Sequence, residues 1–452
     1  LSELLPAGAG AKSADFVASG TLSSGQTVVL KADGTVEAVA ETTITEGAGT
    51  AGLVEAGSNR NASIAYDPDN SKVVVAYSYD YGGSGKAGKC VVGTVSGSTI
   101  SWGTPVIFHN DNAANIFCVY DQNNNKVVIG FQDLSSAAFG YATTIVGTVS
   151  GTSISFGTKI VFRSSSTSQL SGSYDEASGN VVISYMDGGS PYYSYALVGV
   201  VSGSSMSFGT TVQLTTWNTG AQVGVVYDQN AAKTLFTTKN SSGGGYAVVG
   251  TVTGTSISLG TGVTFSASTD SNYFNAAYDA NSQKNLIVYP SYISSVRSAH
   301  SIVATITGTS VTLGSETALL SSSANLIGYI RPAYDPLAKK ITSFMTKTTG
   351  GSLAVVSTIS GTSVSNASSY DLTVPGTIQW QAGIWPVYDA NANKTVIVYT
   401  TTTNTVGLYY AVWTTGYTAS NNTDFLGITD QAIANTATGA VIVQGGVSEK
   451  LS

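Results

Sequence analysis

Three aspartates close similar apolar runs in this chain: Asp80 in KVVVAYSYD, Asp133 in KVVIGFQD and Asp187 in NVVISYMD. Two carboxyl groups facing one another are the minimum equipment for hydrolysing a glycosidic bond, one as acid and the other as base or nucleophile. Other groups with chemical reach are sparse. The chain holds two histidines, His109 and His300, and four scattered arginines, Arg60, Arg163, Arg297 and Arg331. A lone imidazole is more often a satisfied or surface residue than a catalyst. Cys90 and Cys118 each fall in a predicted strand and read as buried free thiols. No Cys/His spacing suits zinc. The Asp/Asn-rich segments DPDNSK and DQNNNK lack the glycine and distal glutamate of a calcium loop. We therefore expect neither metal nor cofactor.

The elements that position these residues repeat. AYDPDNSKVVVAY, VYDQNNNKVVIGF, SYDEASGNVVISY, VYDQNAAKTLFTT, AYDANSQKNLIVY, AYDPLAKKITSFM and VYDANANKTVIVY place a Tyr-Asp pair at Tyr66, Tyr120, Tyr174, Tyr227, Tyr278, Tyr334 and Tyr388. Successive spacings are 54, 54, 53, 51, 56 and 54 residues. A period near 54 residues, holding strands and no helix, predicts an all-β fold: a seven-bladed β-propeller of four-stranded blades. In each repeat the first strand ends at Tyr-Asp, and a turn follows whose Asn and Asp side chains bond their own backbone. An apolar second strand comes next. The third and fourth strands are joined by a Ser-Gly-Thr hairpin turn, as in GTVSGTSISFG.

That hairpin occurs six times against seven Tyr-Asp pairs, so the last blade lacks its fourth strand. The expected donor is Thr35–Thr45 (TVEAVAETTIT), whose pairing would close the ring and remove its edges. The propeller then spans 35–421. Segments 1–34 and 422–452 share an Asp-Phe-aliphatic opening and a Val-rich strand, and should form a small β-module for anchoring. The chain opens without Met and ends on GGVSEKLS, which reads as the middle of a domain, so a longer gene product is expected.

In a four-stranded blade, the 1–2 and 3–4 turns lie on one face of the wheel and the 2–3 and 4–1 loops on the other. The first set is nearly uniform here, whereas the second varies strongly, as in QDLSSAAFGY against KNSSGGGY. Divergent loops on a rigid scaffold are where binding sits. The variable face collects aromatics, and the candidate ligand-binding residues are Tyr79, Tyr81, Tyr141, Tyr192, Tyr193, Trp217, Tyr273, Tyr292, Trp380 and Trp385. Such rings give large contact area at low entropy cost, though any one of them could instead pack between blades. Propellers include sialidases, whose 3–4 turns run roughly Ser-x-Asp-x-Gly-x-Thr-Trp. Here the turn lacks the Asp, and the arginines do not cluster. No catalytic residue is assigned, and the expectation is that the protein is not an enzyme.

The net charge of −7 speaks against a nucleic-acid partner, which demands clustered Lys and Arg. The repeat unit, YDxxxxKVVVAY followed by VGTVSGTSISFGT, resembles repeat-containing virion structural or appendage proteins of marine bacteriophages. FVASGTLSSGQTVVLKADGTVEAV and FLGITDQAIANTATGAVIVQGGVSEKLS are similar to modules flanking those repeats. The resemblance implies a virion-surface, extracellular protein of tail, fibre or capsid. It would be a non-catalytic adhesin for host glycans or outer-membrane components, present in many copies or as a homo-oligomer. Its terminal module would meet other virion proteins. One alternative is a capsid decoration or cement protein with a purely structural role. Another is a sialidase-like hydrolase using Asp80, Asp133 and Asp187.

Overall fold

A computed structural model describes residues 13–24, 26–39, 41–80, 86–135, 140–266, 272–293, 296–320, 326–347, 351–372, 377–378, 383–403, 406–420, 425–429, 432–434 and 436–442. These contain strands and turns and no helix, and they divide into two compact units, 46–415 and the two chain ends together.

The larger unit is a seven-bladed propeller of antiparallel four-stranded blades. Blade 2 is typical: Ala113–Asp121 is the inner strand, Lys126–Asp133 the second and Tyr141–Ser150 the third. The outer strand comes in two pieces, Ser153–Phe156 and Ile160–Arg163, both paired with the third. Second strands such as Lys126–Asp133 are apolar on both faces because each blade is covered by a neighbour on either side. Accordingly the core is not one mass but seven clusters, one at each blade interface. Cys90 and Cys118 lie buried and unpaired in the cluster between blades 1 and 2, where burial pushes both thiols up.

The repeated Tyr-Asp explains itself at the 1–2 turns. All seven aspartates are almost fully buried, and each carboxylate accepts backbone N–H groups two or three residues on: Asp121 from Asn123 and Asn124, Asp335 from Leu337 and Ala338, Asp389 from Asn391 and Ala392. The residue before each second strand is left-handed, at Ser71, Asn125, Gly179, Ala232, Gln283, Lys339 and Asn393. The Tyr reaches the turn of the preceding blade. Tyr278 Oη accepts the N–H of Asn230 at 3.2 Å, Tyr334 Oη that of Asn281 at 3.1 Å, and Tyr120 Oη donates to Asp69 at 2.8 Å. Tyr66 of blade 1 accepts the N–H of Asn391 of blade 7 at 3.1 Å, so the same contact closes the wheel.

The 3–4 hairpins form a second repeated contact. A Cβ on Gly103, Gly157, Gly209, Gly260 or Gly314 would lie 1.8–2.1 Å from a carbonyl oxygen in the next blade's hairpin turn. Only glycine fits there.

The strand that closes the last blade is Gly47–Ala48 with Gly52–Ala56, paired with Gly407–Thr414, and not Thr35–Thr45. Glu41–Ile44 instead pairs with Tyr417–Ser420 among the chain ends. The boundaries 35 and 421 are corrected to 46 and 415 accordingly. Gly47–Ala56 is long enough to run the edge of blade 7, and Tyr410 packs against Gly52 where no side chain would fit. The chain ends form a sheet in the order Ser13–Val17, Thr438–Ile442, Phe425–Thr429, Thr27–Leu30, Val36–Ala38, around buried Ala18, Leu22, Val28, Val36, Ile433 and Val441. The expected β-module is thus present.

Two outcomes test this account. Burial raises the Asp389 carboxyl, and its Oδ2 has no hydrogen-bond partner, so the ionised form is disfavoured in the fold. Its contribution is full below the ordinary carboxylate range and is lost as pH rises through the raised value. Asp389→Asn, which keeps one acceptor and removes the charge, should equal or exceed wild type in stability at pH 7, with no gain at pH 3. Asp389→Ala should lose about 1–3 kcal/mol in urea titrations. Gly209→Ala, pressing on the Thr255 carbonyl, should lose about 1–3 kcal/mol or more in the same measurement.

Candidate functional site at the propeller axis

Seven inner strands converge on the axis, and the residue five positions before each Tyr of Tyr-Asp falls near the start of its strand. Those residues are Asn61, Asn115, Gln169, Gln222, Tyr273, Tyr329 and Gly383. Because inner strands begin where the 4–1 loops end, this level lies on the variable face. In blades 1, 2, 3 and 6 the register shifts by a bulge here, between Arg60 and Ser63, Ala114 and Phe117, Ser168 and Ser171, and Leu326 and Ile330. Asn61, Asn115 and Gln169 sit in the bulges at φ of 47, 47 and 53°. A bulge re-aims a side chain that regular pairing would point between blades.

The result is a cavity of about 240 Å³ along the axis, lined among others by Ser63, Phe117, Ser171, Asn275, Arg331 and Trp385. It adjoins a smaller polar one bounded by Asn61, Asn115, Gln169, Gln222, Tyr329, Arg331 and Trp385. No described carboxylate lines either. Asn115 donates to Gln132 at 2.7 Å and Gln222 to Ser171 at 3.1 Å, while Gln222 Oε1 is buried without a partner. Tyr329 donates to Tyr273 at 3.0 Å, with ring centroids 4.0 Å apart. Arg331 Cζ lies 5.2 Å from the Trp385 ring and 5.7 Å from that of Tyr329. Burial pushes the Arg331 guanidinium down to about 10, so it stays charged at neutral pH.

Of the ten aromatics expected on the variable face, the structure brings Tyr273 and Trp385 to the axis. Trp385 is only 5% exposed and packs in the cluster between blades 7 and 1. Tyr79 lies half-buried in the same interface, with Lys89 Nζ 3.9 Å from its ring centroid. Trp217 is half-buried, donates to the Lys239 carbonyl at 3.0 Å and stands edge-on to Tyr246. Tyr141 and Tyr193 are half-buried and Tyr192 is exposed. Tyr81, Trp380 and the side chain of Tyr292 lie outside the described residues. Arg331, Tyr329 and the four amides are site residues that the loops did not point to.

The acids first considered for hydrolysis are engaged elsewhere. Asp133 lies 3.1 Å from His109 and 3.6 Å from Lys159, and Asp187 lies 2.6 Å from Arg163. His300 lies 3.0 Å from Glu316. The side chain of Asp80 is outside the described residues. Among the described residues no group of three or more His, Cys, Asp or Glu could hold a metal.

No protein-family model matches the chain, and no curated protein sequence is similar to it. Solved structures do resemble it. A sialidase of Trypanosoma rangeli is 11% identical at a TM-score of 0.44, over 90% of this chain and 60% of the sialidase. The NanB sialidase of Streptococcus pneumoniae, as its K499G mutant, is 10% identical at 0.45, over 80% and 69%. The intramolecular trans-sialidase of Ruminococcus gnavus is 9% identical at 0.45, over 80% and 96%. This chain therefore spans less than two thirds of the first of these. The expectation of a protein that is not an enzyme is corrected here: the three solved structures just named are sialidases, and exclusion of catalysis is withdrawn. Likeness at this level assigns no activity to the chain.

The two tryptophans should separate by stability. Trp385→Ala, which empties part of the blade 7–1 interface, should lose about 3–5 kcal/mol in urea titrations, and half-exposed Trp217→Ala distinctly less.

Proposed function

We propose that this chain is a surface component of a phage particle that binds a host-cell glycan or envelope component through its variable face, centred on the axial mouth. The carrying observation is the set of amides and aromatic rings gathered there at one strand position. Amides offer donors and acceptors to hydroxyl groups, and aromatic rings offer apolar faces to sugar rings or protein epitopes. On the uniform face the Asp and Tyr side chains of the 1–2 turns are spent on turn capping and on contacts between blades. The repeat's resemblance to marine phage virion proteins supports the setting, and the separate unit built from both chain ends suits attachment to other virion subunits. Many copies on one particle would multiply a modest affinity at each site.

Glycan arrays and whole-cell binding with the full chain test the reading. Wild type should bind, and the Asn61→Gly/Gln169→Gly pair, which keeps the left-handed backbone of both positions, should weaken binding about tenfold or more with little change in thermal midpoint, since each lost hydrogen bond contributes about 1 kcal/mol. A folded wild-type protein that bound no glycan and no candidate host cell would instead leave a decoration role on the particle.

A further inference from the structure

Arg331 differs from three other described cations near the variable face. Lys89 lies 2.5 Å from Glu55, Arg163 lies 2.6 Å from Asp187, and Lys347 is paired with Asp371. Arg331 has no hydrogen-bond or ion-pair partner among the described residues, and its Nε is buried and unsatisfied. A charge withdrawn from water without a counter-charge is costly. The faces of Trp385 and Tyr329 offset part of that cost and leave the guanidinium edge free. Across the same mouth, the Asn61 and Gln169 amides have no protein partner among the described residues, and Gln222 Oε1 is a buried acceptor without a donor. The missing complement is one anionic group flanked by hydroxyls. About 240 Å³ suits a single sugar ring rather than a chain of them.

We propose that the axial cavity receives a carboxylate-bearing sugar unit of a glycan, with its carboxylate against Arg331, its hydroxyls on Gln222, Ser171 and Asn275 of the cavity wall, and its outer edge toward Asn61 and Gln169 of the smaller cavity that adjoins it. The proposal rests on the reading of this face as a glycan-binding surface and names the sugar class. A planar carboxylate matches the guanidinium fork, which can donate two parallel hydrogen bonds to it. The Trp385 ring lies 5.2 Å from the guanidinium carbon, on the blade next to it. A sulfate ester would bring the same charge without that planar match.

The test is calorimetric titration of the full chain at low salt with galacturonic acid, galactose and galactose 6-sulfate, beside Arg331→Met and Arg331→Lys. Galacturonic acid should bind about tenfold or more tighter than galactose, as a charge-assisted pair requires. Arg331→Met should abolish that difference while its thermal midpoint holds or rises, because an uncompensated charge has gone. Arg331→Lys should retain part of the preference. Equal binding of galacturonic acid and galactose would overturn the acidic-sugar inference and leave glycan binding standing. A preference for the sulfate would overturn the sugar class. A preference for galacturonic acid that survived Arg331→Met would overturn the role of Arg331. Failure to bind these probes, any arrayed glycan and any candidate host cell would remove both readings.

Discussion

The contact on which the wheel depends is the Tyr-Asp latch. Each Asp holds its own 1–2 turn by accepting one or two backbone N–H groups, and the Tyr side chains of blades 1 to 6 reach across to the preceding blade's turn. One dipeptide therefore fixes both the turn and the angle between neighbours. The axial site is measured from the same point. Asn61, Asn115, Gln169, Gln222, Tyr273 and Tyr329 all stand five residues before a latch Tyr, so the spacing that fixes the blades also fixes how these side chains converge.

Closure is distributed over several modest contacts rather than invested in one. Tyr66 bonds the Asn391 N–H across 325 positions of chain, and Gly47–Ala56 pairs with Gly407–Thr414. Trp385 packs with Ile64 and Val75 in the blade 7–1 cluster. The entropy of closing so long a loop grows only slowly with its length. Contacts of the kind that hold every other pair of blades therefore suffice for this one. An exception supports the account of the 3–4 glycines. Blade 6 carries Ala367 where its fellows carry Gly, and blade 7 is the blade whose third and outer strands come from opposite ends of the propeller, with no hairpin turn to collide with.

The wheel and its turns were legible because a repeated sequence states its constraints several times: seven Tyr-Asp pairs, six hairpins, one period. The closing strand was not. Gly47–Ala56 (GAGTAGLVEA) has the composition of a loop, while Thr35–Thr45 alternates like a strand. What makes the former a strand is the free edge of Gly407–Thr414, a tertiary partner that overrides local propensity. Aromatic composition could not sort Trp217 from Trp385 either, since both stand near the variable face and only packing distinguishes them. The signal for the axial ring lay inside the strands at a fixed offset from each Tyr, and not in the loops where binding residues are ordinarily sought.

Sevenfold repetition makes the departures from symmetry informative. At the turns nearly every blade carries the same chemistry, because every blade meets the same neighbour in the same way. At the axis mouth the blades differ: amides on blades 1 to 4, tyrosines on blades 5 and 6, and glycine on blade 7. Two positions further along, the residues are Ser63, Phe117, Ser171, Gly224, Asn275, Arg331 and Trp385, with the cation and the indole on adjacent blades. Folding alone does not call for such a series. Left-handed backbone at Asn61, Asn115 and Gln169 costs stability, and so does an unpaired cation beside them. Seven apolar interfaces can absorb those costs, so a rigid symmetric wheel can carry an asymmetric, polar and partly strained centre. That asymmetry lets the mouth hold a ligand in one orientation, which a ring of seven identical groups could not do.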